Sequence, residues 1–431
     1  MITMKIAFYT LGCKANQFET QALERLFIEK GHEIVPFDSF ADVYVVNTCT
    51  VTALSDKKSR NAARKCKKIN PDARLILCGC YAQVKAEEAR AACGADAVIG
   101  TPDKSRIVSI VEDLAADGVR DLWHEAPPLF DLLPAGGLSG RTRALLKVQD
   151  GCKNFCTYCL IPFARGPERS MPFDLAVEEA CKLAAEGYQE IVLTGIEISA
   201  YGRDLPGRPA LIALIEALCK AAPSCRIRLG SLEPRTVTED FARRCAALPN
   251  LCPHFHLSLQ SGCDKTLQNM NRHYSAAEYK TACDLLRQYM PDCGLTTDLI
   301  VGFPQETEDE FEQTLAFIRK CAFSSMHIFP YSRRPGTPAA AMEGQIQKAV
   351  QEERAHRAAA VADEMERAYL TQLIGSTLPV LFEEEKGGLW QGHAPNYVAV
   401  RAEGQELHNC LRPVRITAVS GNSLKGEILH D

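Results

Sequence analysis

The chain has 431 residues, of which 46% are hydrophobic and 24% charged, with a formal net charge of −5. This length allows two or three domains with substantial cores. A bilayer is crossed by roughly 20 consecutive apolar residues. Since no apolar run approaches that length, we expect no membrane partner. The N-terminus enters a strand-like segment without a signal-peptide pattern, which predicts a cytoplasmic protein, and the acidic balance argues against unspecific binding of polyanions by the whole chain.

The first 125 residues alternate between strand and helix. Repeated strand–helix units predict an open parallel sheet with helices on its faces. The stretch Ala126–Gly140 contains three prolines and three glycines, which is typical of a linker. The predicted strands are Lys5–Leu11, Val43–Asn47, Arg74–Cys78 and Ala95–Ile99, with helices over Asn16–Lys30 and Ser55–Ile69.

A second strand–helix series follows the linker. Six strands with helical crossovers predict an open, partial (β/α)6 barrel over residues 141–370. A long helical segment, 346–374, leads to short strands separated by glycines, which indicate a small β-barrel over residues 371–431. The six central strands are expected at Leu145–Gln149, Glu190–Thr194, Arg226–Gly230, Phe255–Gln260, Gly294–Val301 and Ser325–Pro330.

Three cysteines in the central segment, Cys152, Cys156 and Cys159, have the spacing C-x3-C-x2-C. Nineteen cysteines in a reducing compartment indicate metal ligands among them rather than disulfides. Three thiolates from one short loop suit an iron–sulfur cluster. Three ligands leave one iron of a four-iron cluster open, and an open position is a chemical site. A zinc knuckle is the alternative, but no fourth Cys or His follows within several residues.

A second set of cysteines, Cys13, Cys49 and Cys80, lies just past the carboxyl ends of three predicted strands. Open α/β sheets bind their ligands at that edge, so three thiolates from distant sequence positions could converge there. Cys78 competes with Cys80 for the third position. We prefer Cys80, because Gly79 lifts it into the loop while Cys78 points into the sheet packing. Three buried thiols explain the spacing equally well.

The whole chain, from about Lys5 to Ile428, resembles the methylthiotransferases of the radical S-adenosylmethionine (SAM) class. Among the family's branches it is most similar to the one that acts on N6-threonylcarbamoyladenosine at position 37 of tRNA. The motifs that carry the resemblance are Thr10-Leu-Gly-Cys-Lys-Ala-Asn-Gln17, Asn47-Thr-Cys-Thr-Val-Thr52, Gly79-Cys-Tyr-Ala-Gln83, Gly151-Cys-Lys-Asn-Phe-Cys-Thr-Tyr-Cys-Leu-Ile-Pro162, Leu257-Ser-Leu-Gln-Ser-Gly262, Thr297-Asp-Leu-Ile-Val-Gly-Phe-Pro304 and His327-Ile-Phe-Pro-Tyr-Ser332.

The resemblance implies three domains: residues 1–125 with an auxiliary cluster, 141–370 with the radical SAM site, and 371–431 as a TRAM-like barrel. It implies two [4Fe-4S] clusters, one held by Cys152, Cys156 and Cys159, which cleaves SAM to a 5′-deoxyadenosyl radical. The other, held by Cys13, Cys49 and Cys80, carries the sulfur. The implied reaction replaces the C2 hydrogen of adenine with a methylthio group. That hydrogen is not acidic, so a cofactor radical has to remove it.

SAM is expected along the carboxyl ends of the barrel strands. Glu233 is favoured because an acid at that edge is usually functional, and the alternative for each candidate is a turn or a strand cap. His256 lies mid-strand and is predicted to be a hydrogen-bonded core histidine. The candidates are Tyr158, Glu197, Ser231, Glu233, Gln260 and Gly302.

A nucleic-acid partner requires a local basic surface in this acidic chain. The helix that follows the Cys49 loop provides one, although a solvated helix is the alternative. The tRNA anticodon stem-loop and an electron donor such as flavodoxin or ferredoxin are the implied partners. Candidate RNA contacts are Lys57, Lys58, Arg60, Arg64 and Lys65, with Arg165, Arg169 and Arg333-Arg334 as lesser candidates. Trp390 and Tyr397 are either base-stacking groups or barrel core.

The same residues also allow other interpretations of the function. The methylthio group could go to isopentenyladenosine in tRNA or to a ribosomal protein side chain. A non-catalytic iron–sulfur RNA-binding module is a third possibility. Such a module needs no SAM site, so the polar residues at the strand ends of the central domain count against it.

Overall fold

The computed structural model describes residues 3–102, 104–117, 120–122, 129–136 and 142–429. Residues 126–128 and 137–140 of the predicted linker, and the domain boundaries at 125 and 141, lie outside these ranges. None of the helices in the described ranges combines the length and the apolarity that crossing a bilayer requires.

The N-terminal region is a six-stranded parallel sheet with the order β2-β1-β3-β4-β5-β6. Its strands are β1 (Lys5–Thr10), β2 (Glu33–Val35), β3 (Val43–Thr48), β4 (Arg74–Gly79), β5 (Ala97–Ile99) and β6 (Arg120–Leu122). Its helices are α1 (Lys14–Glu29), α2 (Ala53–Ile69), α3 (Cys80–Val84), α4 (Ala86–Cys93) and α5 (Ile107–Asp117). The sequence pattern does not reveal β2 and β6, because these short edge strands, Glu-Ile-Val and Arg-Asp-Leu, lack the continuous apolar run that marks β5.

Helices cover both faces of this sheet, so its central strands are buried on both sides, as parallel strands usually are. In β4, Leu75 and Leu77 enter one core cluster, while Ile76 and Cys78 enter the cluster on the opposite face. This alternation follows from the two-residue period of a strand. Consequently the Cys78 side chain belongs to the packed interior of the sheet.

The central region forms a partial barrel of six parallel strand positions. The pairing runs β7-β10-β11 and β12-β13-β14-β15, and one residue, Gly230, separates β11 from β12. The barrel strands are β7 (Arg143–Lys147), β10 (Glu190–Thr194), β11 (Arg226–Leu229), β12 (Ser231–Leu232), β13 (His254–Leu257), β14 (Gly294–Val301) and β15 (Ser325–Pro330). A separate antiparallel pair is formed by β8 (Gln149–Asp150) and β9 (Arg169–Ser170). In the described residues β7 and β15 do not pair, so the barrel is open on one side.

Helices connect the barrel strands and cover their outer surface. Two of them begin with capping boxes, at Ser275 with Glu278 and at Thr307 with Glu310, which satisfy otherwise unpaired backbone donors. The helices are α6 (Ile161–Arg165), α7 (Phe173–Ala185), α8 (Leu211–Ala221), α9 (Glu239–Ala246), α10 (Asp264–Asn269), α11 (Ala276–Tyr289), α12 (Glu308–Cys321), α13 (Pro338–Ala341) and α14 (Lys348–Gln372). The predicted strand Phe255–Gln260 is wrong at its end: β13 stops at Leu257, and Gln260 adopts a positive φ of 66°.

The C-terminal region is a closed five-stranded barrel with the order β16-β17-β18-β20-β19. Its strands are β16 (Thr377–Lys386), β17 (Leu389–His393), β18 (Ala399–Ala402), β19 (Leu411–Ser420) and β20 (Ser423–Ile428). It contacts the amino ends of the central strands, where Arg228 donates hydrogen bonds to the carbonyls of Ala394 and Pro395. The predicted fold class, a parallel α/β sheet, a partial barrel and a small β-barrel, is therefore confirmed.

Candidate active site between the sheet edge and the barrel mouth

The loop that carries Cys152, Cys156 and Cys159 connects β8 to the region of α6. Cys156 is buried and the other two cysteines are half-buried. Backbone N–H groups two residues further along point to Cys152 Sγ and Cys159 Sγ over 3.5 and 3.4 Å. The Arg272 Nη1 group donates to Cys156 Sγ over 3.2 Å. Each sulfur thus accepts a hydrogen bond, as cluster-ligating sulfurs commonly do.

The second set of cysteines lies at the carboxyl edge of the N-terminal sheet. Cys13, Cys49 and Cys80 directly follow or closely follow β1, β3 and β4, which are neighbours in the sheet. Gly12 lets two of these loops approach, because a Cβ at Gly12, with φ of +99°, would stand 2.8 Å from Cys49 Sγ. Burial raises the pKa of the Cys49 thiol to about 11, and the neighbouring Cys80 and Cys13 sulfurs also contribute to this rise. Cys78, by contrast, packs in the sheet core.

The two sets of cysteines lie where the N-terminal sheet meets the central loop. Cys80 lies near Cys159, the last cysteine of the central loop, and the guanidinium of Arg165 lies beside Cys80. The Thr101 hydroxyl donates to the Ala164 carbonyl over 2.6 Å. The carboxyl edge of the N-terminal sheet therefore sits on the mouth of the partial barrel.

A buried charge cluster joins the two domains behind the cysteines. Glu19 of α1 receives Lys104 from its own domain and Lys147 and Arg165 from the central domain. Arg165 Nη2 also donates to Asn16 Oδ1 over 2.5 Å. Burial alone would raise the pKa of Glu19, but the three cations outweigh it and lower that pKa well below its usual value.

Three of the arginines predicted as lesser RNA contacts are buried, so those predictions are wrong. Arg165, Arg169 and Arg334 expose no more than 4% of their surface. Interior acidic and carbonyl partners hold them: Arg334 Nη2, for example, donates to Thr50 Oγ1 and Asp56 Oδ2, both over 2.7 Å. Arg165 and Arg334 fix the N-terminal domain to the barrel, whereas Arg169 is held within the central region by Asp150 and by backbone carbonyls. The neighbouring Arg333 is exposed.

The cysteine sulfurs and their positions in the central loop and at the sheet edge both suit two iron–sulfur clusters. Within the described residues, no three Cys, His, Asp or Glu side chains surround one point as ligands of a single ion. A four-iron cluster does not require this, since each cysteine binds a different iron. Each set offers three sulfurs, so each fits a cluster with one open iron.

Two acids lie beside the central cysteine loop at the ends of β10 and β12. Glu197 accepts a hydrogen bond from Asn154 Nδ2 over 3.4 Å, and Glu233 Oε1 is 2.6 Å from Arg272 Nη2. Burial, and then the charge of Glu233, raises the pKa of Glu197 to about 8. Arg272 was not predicted from the sequence. It links Glu233 to Cys156, and an isolated arginine in a loop gives no sequence signal for that role.

The other SAM candidates are spread around the mouth. Tyr158 packs edge-on against Phe303, with ring centroids 6.5 Å apart, and it lines a mostly apolar cavity of about 260 Å³ together with Gln260. Gly302 donates its N–H to Glu306 and lies against α14, where a Cβ would stand 2.5 Å from Gln351 Cγ. Ser231 is exposed and lines a different cavity, inside the barrel.

That interior cavity, of about 470 Å³, runs from Cys13 at the mouth to Tyr397 of the C-terminal barrel. His256 is hydrogen-bonded to Thr296, as predicted, but it lines this cavity and is only half-buried. Tyr397 stacks on His393 at 5.0 Å and lies 4.8 Å from the guanidinium of Arg228. Its ring is therefore held at the domain interface, whereas Trp390 packs on the barrel core.

Some cations of the basic helix α2 contact polar or acidic side chains, and others do not. Arg60 contacts the Tyr81 hydroxyl over 3.3 Å, and Lys65 is 2.5 Å from Asp38 Oδ1. Four others are exposed and, among the described residues, make no ion pair: Lys57, Lys58, Arg64 and Lys68. The available positive charge is consequently smaller than the sequence count indicates.

Models of known families match both cysteine-bearing domains. One described as the radical SAM superfamily matches residues 146–318. Another, described as an uncharacterized protein family, UPF0004, matches residues 5–100. The two matched regions are those that carry the two cysteine sets.

Curated relatives match nearly the whole chain. The threonylcarbamoyladenosine tRNA methylthiotransferase MtaB of Bacillus subtilis strain 168 is 38% identical over 93% of this chain and 91% of its own length. MtaB of Aquifex aeolicus strain VF5 is 37% identical over 93% of this chain and 97% of its own. The chain belongs to the radical SAM methylthiotransferase family.

Relatives within this methylthiotransferase family carry more than one substrate name. The tRNA-2-methylthio-N(6)-dimethylallyladenosine synthase of Maricaulis maris strain MCS10 is 33% identical over 97% of this chain and 96% of its own length. Among solved structures, the radical SAM methyltransferase TsrM of Kitasatospora setae, with cobalamin and a [4Fe-4S] cluster bound, has a TM-score of 0.57 and 14% identity. The match covers 79% of this methylthiotransferase chain and 74% of the TsrM chain. At this level of identity it shows a similar fold.

Proposed function

We propose that this chain transfers a methylthio group to C2 of N6-threonylcarbamoyladenosine at position 37 of tRNA. The observation that carries the proposal is the meeting of two cysteine sets from different domains at one mouth. A single set serves a radical SAM enzyme, and a second set next to it supports delivery of sulfur to the same substrate atom. The names of the MtaB relatives support the tRNA substrate.

In this proposal Cys152, Cys156 and Cys159 hold the cluster that binds SAM, and Cys13, Cys49 and Cys80 hold the auxiliary cluster. When bound, these groups supply the radical and the sulfur that convert an unactivated C–H bond into a C–S bond. The protein's part is to hold both sulfur sets rigidly and to keep water away from the gap between them. The buried cations around Glu19 do the first, since they join α1 to the central loop.

The residues around the central loop are proposed to orient SAM. Glu197 and Glu233 lie beside the loop and are proposed to receive the methionyl amino group of SAM, and Arg272 holds the Glu233 carboxylate in position through an ion pair. Tyr158 and Gln260 border the apolar cavity that suits an adenine ring. Ser231 and Gly302 are proposed to border the ribose side of the same mouth.

The proposed partners approach the outer rim of the mouth. The anticodon stem-loop of tRNA lies along α2, where phosphates meet three of the exposed cations, Lys57, Lys58 and Arg64. A reduced flavodoxin or ferredoxin supplies electrons, and the reaction takes place in the cytoplasm. Residues 1–125, 141–370 and 371–431 act as sulfur-delivering, radical-generating and RNA-contacting domains.

The test is methylthiolation by the anaerobically reconstituted protein. With SAM, reductant and tRNA carrying threonylcarbamoyladenosine, nucleoside mass spectrometry should detect a product heavier by one methylthio substitution. The Cys152→Ala variant should form neither this product nor deoxyadenosine. Because a family relative is named for dimethylallyladenosine, a parallel reaction uses tRNA with that nucleoside. Deoxyadenosine release with modification only of the dimethylallyl tRNA would overturn the proposed substrate.

A further inference from the structure

The cavity inside the partial barrel is lined by polar side chains, two of which carry a nitrogen that lacks an ion-pair or hydrogen-bond partner among the described residues. It opens beside Cys13 and Ser231 at the mouth and ends at Tyr397, between the central strands and the C-terminal barrel. Tyr397 has a positive φ of 71°, a conformation that an aromatic residue adopts only when its surroundings enforce it. That conformation places its ring among the groups of the cavity wall.

Lys14 is the cation of this cavity that lacks an anion. It is half-buried, and its Nζ lies 5.8 Å from the centroid of the Tyr397 ring. Over the described part of the chain, no carboxylate comes within salt-bridge distance of it and no hydrogen bond holds it. The buried lysines nearby, Lys104 and Lys147, both pair with Glu19. A desolvated cation without a partner is costly, so Lys14 points to an anionic occupant.

His254 provides a second unused group on the same wall. It is 3% exposed, and its ring lies 4.8 Å from that of Tyr397. Its Nε2 is hydrogen-bonded to Thr296 Oγ1 over 3.0 Å, but Nδ1 is buried and has no partner among the described residues. Buried polar atoms are rarely left unpaired. Lys14 and His254 therefore both lie around Tyr397 and both await a polar ligand.

The acids of the cavity do not supply the missing anion. Asp298 is held between His256 and His327, at 3.3 and 3.2 Å. Glu366 is hydrogen-bonded to Ser325. With its acids already paired, the cavity offers a free cation and a free hydrogen-bonding nitrogen, which together suit a ligand that carries a carboxylate and further polar groups.

We propose that this cavity binds the N6 substituent of the target adenosine, with Lys14 pairing the carboxylate of its threonyl group and His254 Nδ1 hydrogen-bonding another of its polar atoms. This inference rests on the proposed function. A dimethylallyl substituent, which is purely hydrocarbon, would leave both groups unpaired and desolvated, so the same wall selects against it. Lys14 follows Cys13, which places substrate selection next to the auxiliary cysteines.

Binding measurements isolate this role from catalysis. The reconstituted enzyme, without reductant, is titrated with anticodon stem-loops carrying threonylcarbamoyladenosine or its neutral methyl ester. Wild type should bind the acid at least about tenfold more tightly than the ester, and Lys14→Met should bind both alike. Lys14→Arg, which keeps the charge, should retain the preference. Iron content and SAM affinity should be the same in all three proteins.

The possible failures are distinguishable. If Lys14→Met keeps the preference for the acid, the proposed receptor is wrong even when wild type methylthiolates the threonylcarbamoyl RNA. If Lys14→Met loses SAM affinity while the RNA preference persists, the cavity serves the carboxylate of SAM, and the inference is likewise overturned. If wild type modifies no threonylcarbamoyl RNA at all, the proposed function itself fails.

Discussion

Cys78 and Cys80 are two positions apart but have different neighbours. Cys78 packs among the apolar side chains under the N-terminal sheet, including Ile76. Cys80 begins α3 at the sheet edge and lies near Cys159 and Arg165. The strand ends at Gly79, whose positive φ of 91° turns the backbone between the two cysteines, so the two thiols do not share a site. This placement favours the proposal that Cys80, not Cys78, is the third auxiliary ligand.

If Cys80 is the ligand, replacing Cys80 and replacing Cys78 should have different effects on the iron content and on the stability of the protein. Cys80→Ala should lower the iron and sulfide content of the reconstituted protein by about half, because only the central cysteine set still holds a cluster. Cys78→Ala should keep the full content and lose some unfolding free energy, on the order of 1 kcal/mol, from the small cavity it leaves. Colorimetric iron and sulfide analysis checks both. Full iron content in Cys80→Ala with half in Cys78→Ala would reverse the assignment.

At the scale of elements, α2 combines a structural face and a solvent face. Its buried face includes Ser59 and Ala63, which pack toward the sheet, and Asp56, which binds Arg334 of the central domain. Its solvent side carries three of the exposed cations that make no ion pair among the described residues: Lys57, Lys58 and Arg64. The helix thus fixes the Cys49 loop from inside and offers positive charge outside.

Removing that outer charge should weaken RNA binding without affecting the fold. For the triple variant Lys57→Ala, Lys58→Ala and Arg64→Ala, we expect weaker binding of tRNA of any sequence. The slope of log binding constant against log salt should become shallower by about 2 to 3. Fluorescence anisotropy at several salt concentrations measures both. Lys320→Ala, on an exposed position of α12, is the control, and an unchanged slope in the triple variant would contradict this role of α2.

At the scale of the whole molecule, buried charges rather than apolar contacts alone fix the domains to each other. Glu19 and its cations join the N-terminal domain to the barrel. At the opposite end Glu190 pairs with Arg226 and Arg228, whose free N–H groups bind carbonyls of the C-terminal barrel. Such clusters specify one arrangement, because any other leaves a charge buried and unpaired.

The Glu190 pair should give the protein an acid-sensitive stability. Burial alone would raise the pKa of Glu190, but Arg228 and Arg226 outweigh it and hold the pKa at about 2. Since the folded value is depressed, its stabilisation is present above about pH 4.5 and is lost as the pH falls toward 2. Glu190→Gln should cost about 3 kcal/mol of unfolding free energy at pH 7, and this deficit should shrink as the pH falls from about 4.5 to about 2. Urea unfolding at several pH values measures it, and a deficit independent of pH would contradict the pairing.

The sequence predicted what depends on local pattern. The strand-end positions of Cys13, Cys49 and Cys80 followed from parallel topology, and the structure brings these residues to one edge. The sequence could not predict which cations are buried, since the partners that hold Arg165 in the interior include Glu19, 146 positions away. The unpaired state of Lys14 and His254 likewise depends on the packing of three domains. Long-range charge pairing carries no periodic signal in a single chain.

The central claim, that the two cysteine sets lie close together where the N-terminal sheet meets the central loop, is tested most directly by electron paramagnetic resonance. Reduced wild-type protein should give a spectrum broadened by magnetic interaction between two nearby clusters. That spectrum should differ from the sum of the spectra of Cys80→Ala and Cys152→Ala, each of which retains one cluster. A wild-type spectrum equal to that sum would mean that the clusters are too far apart to act on one substrate atom, and would contradict the account.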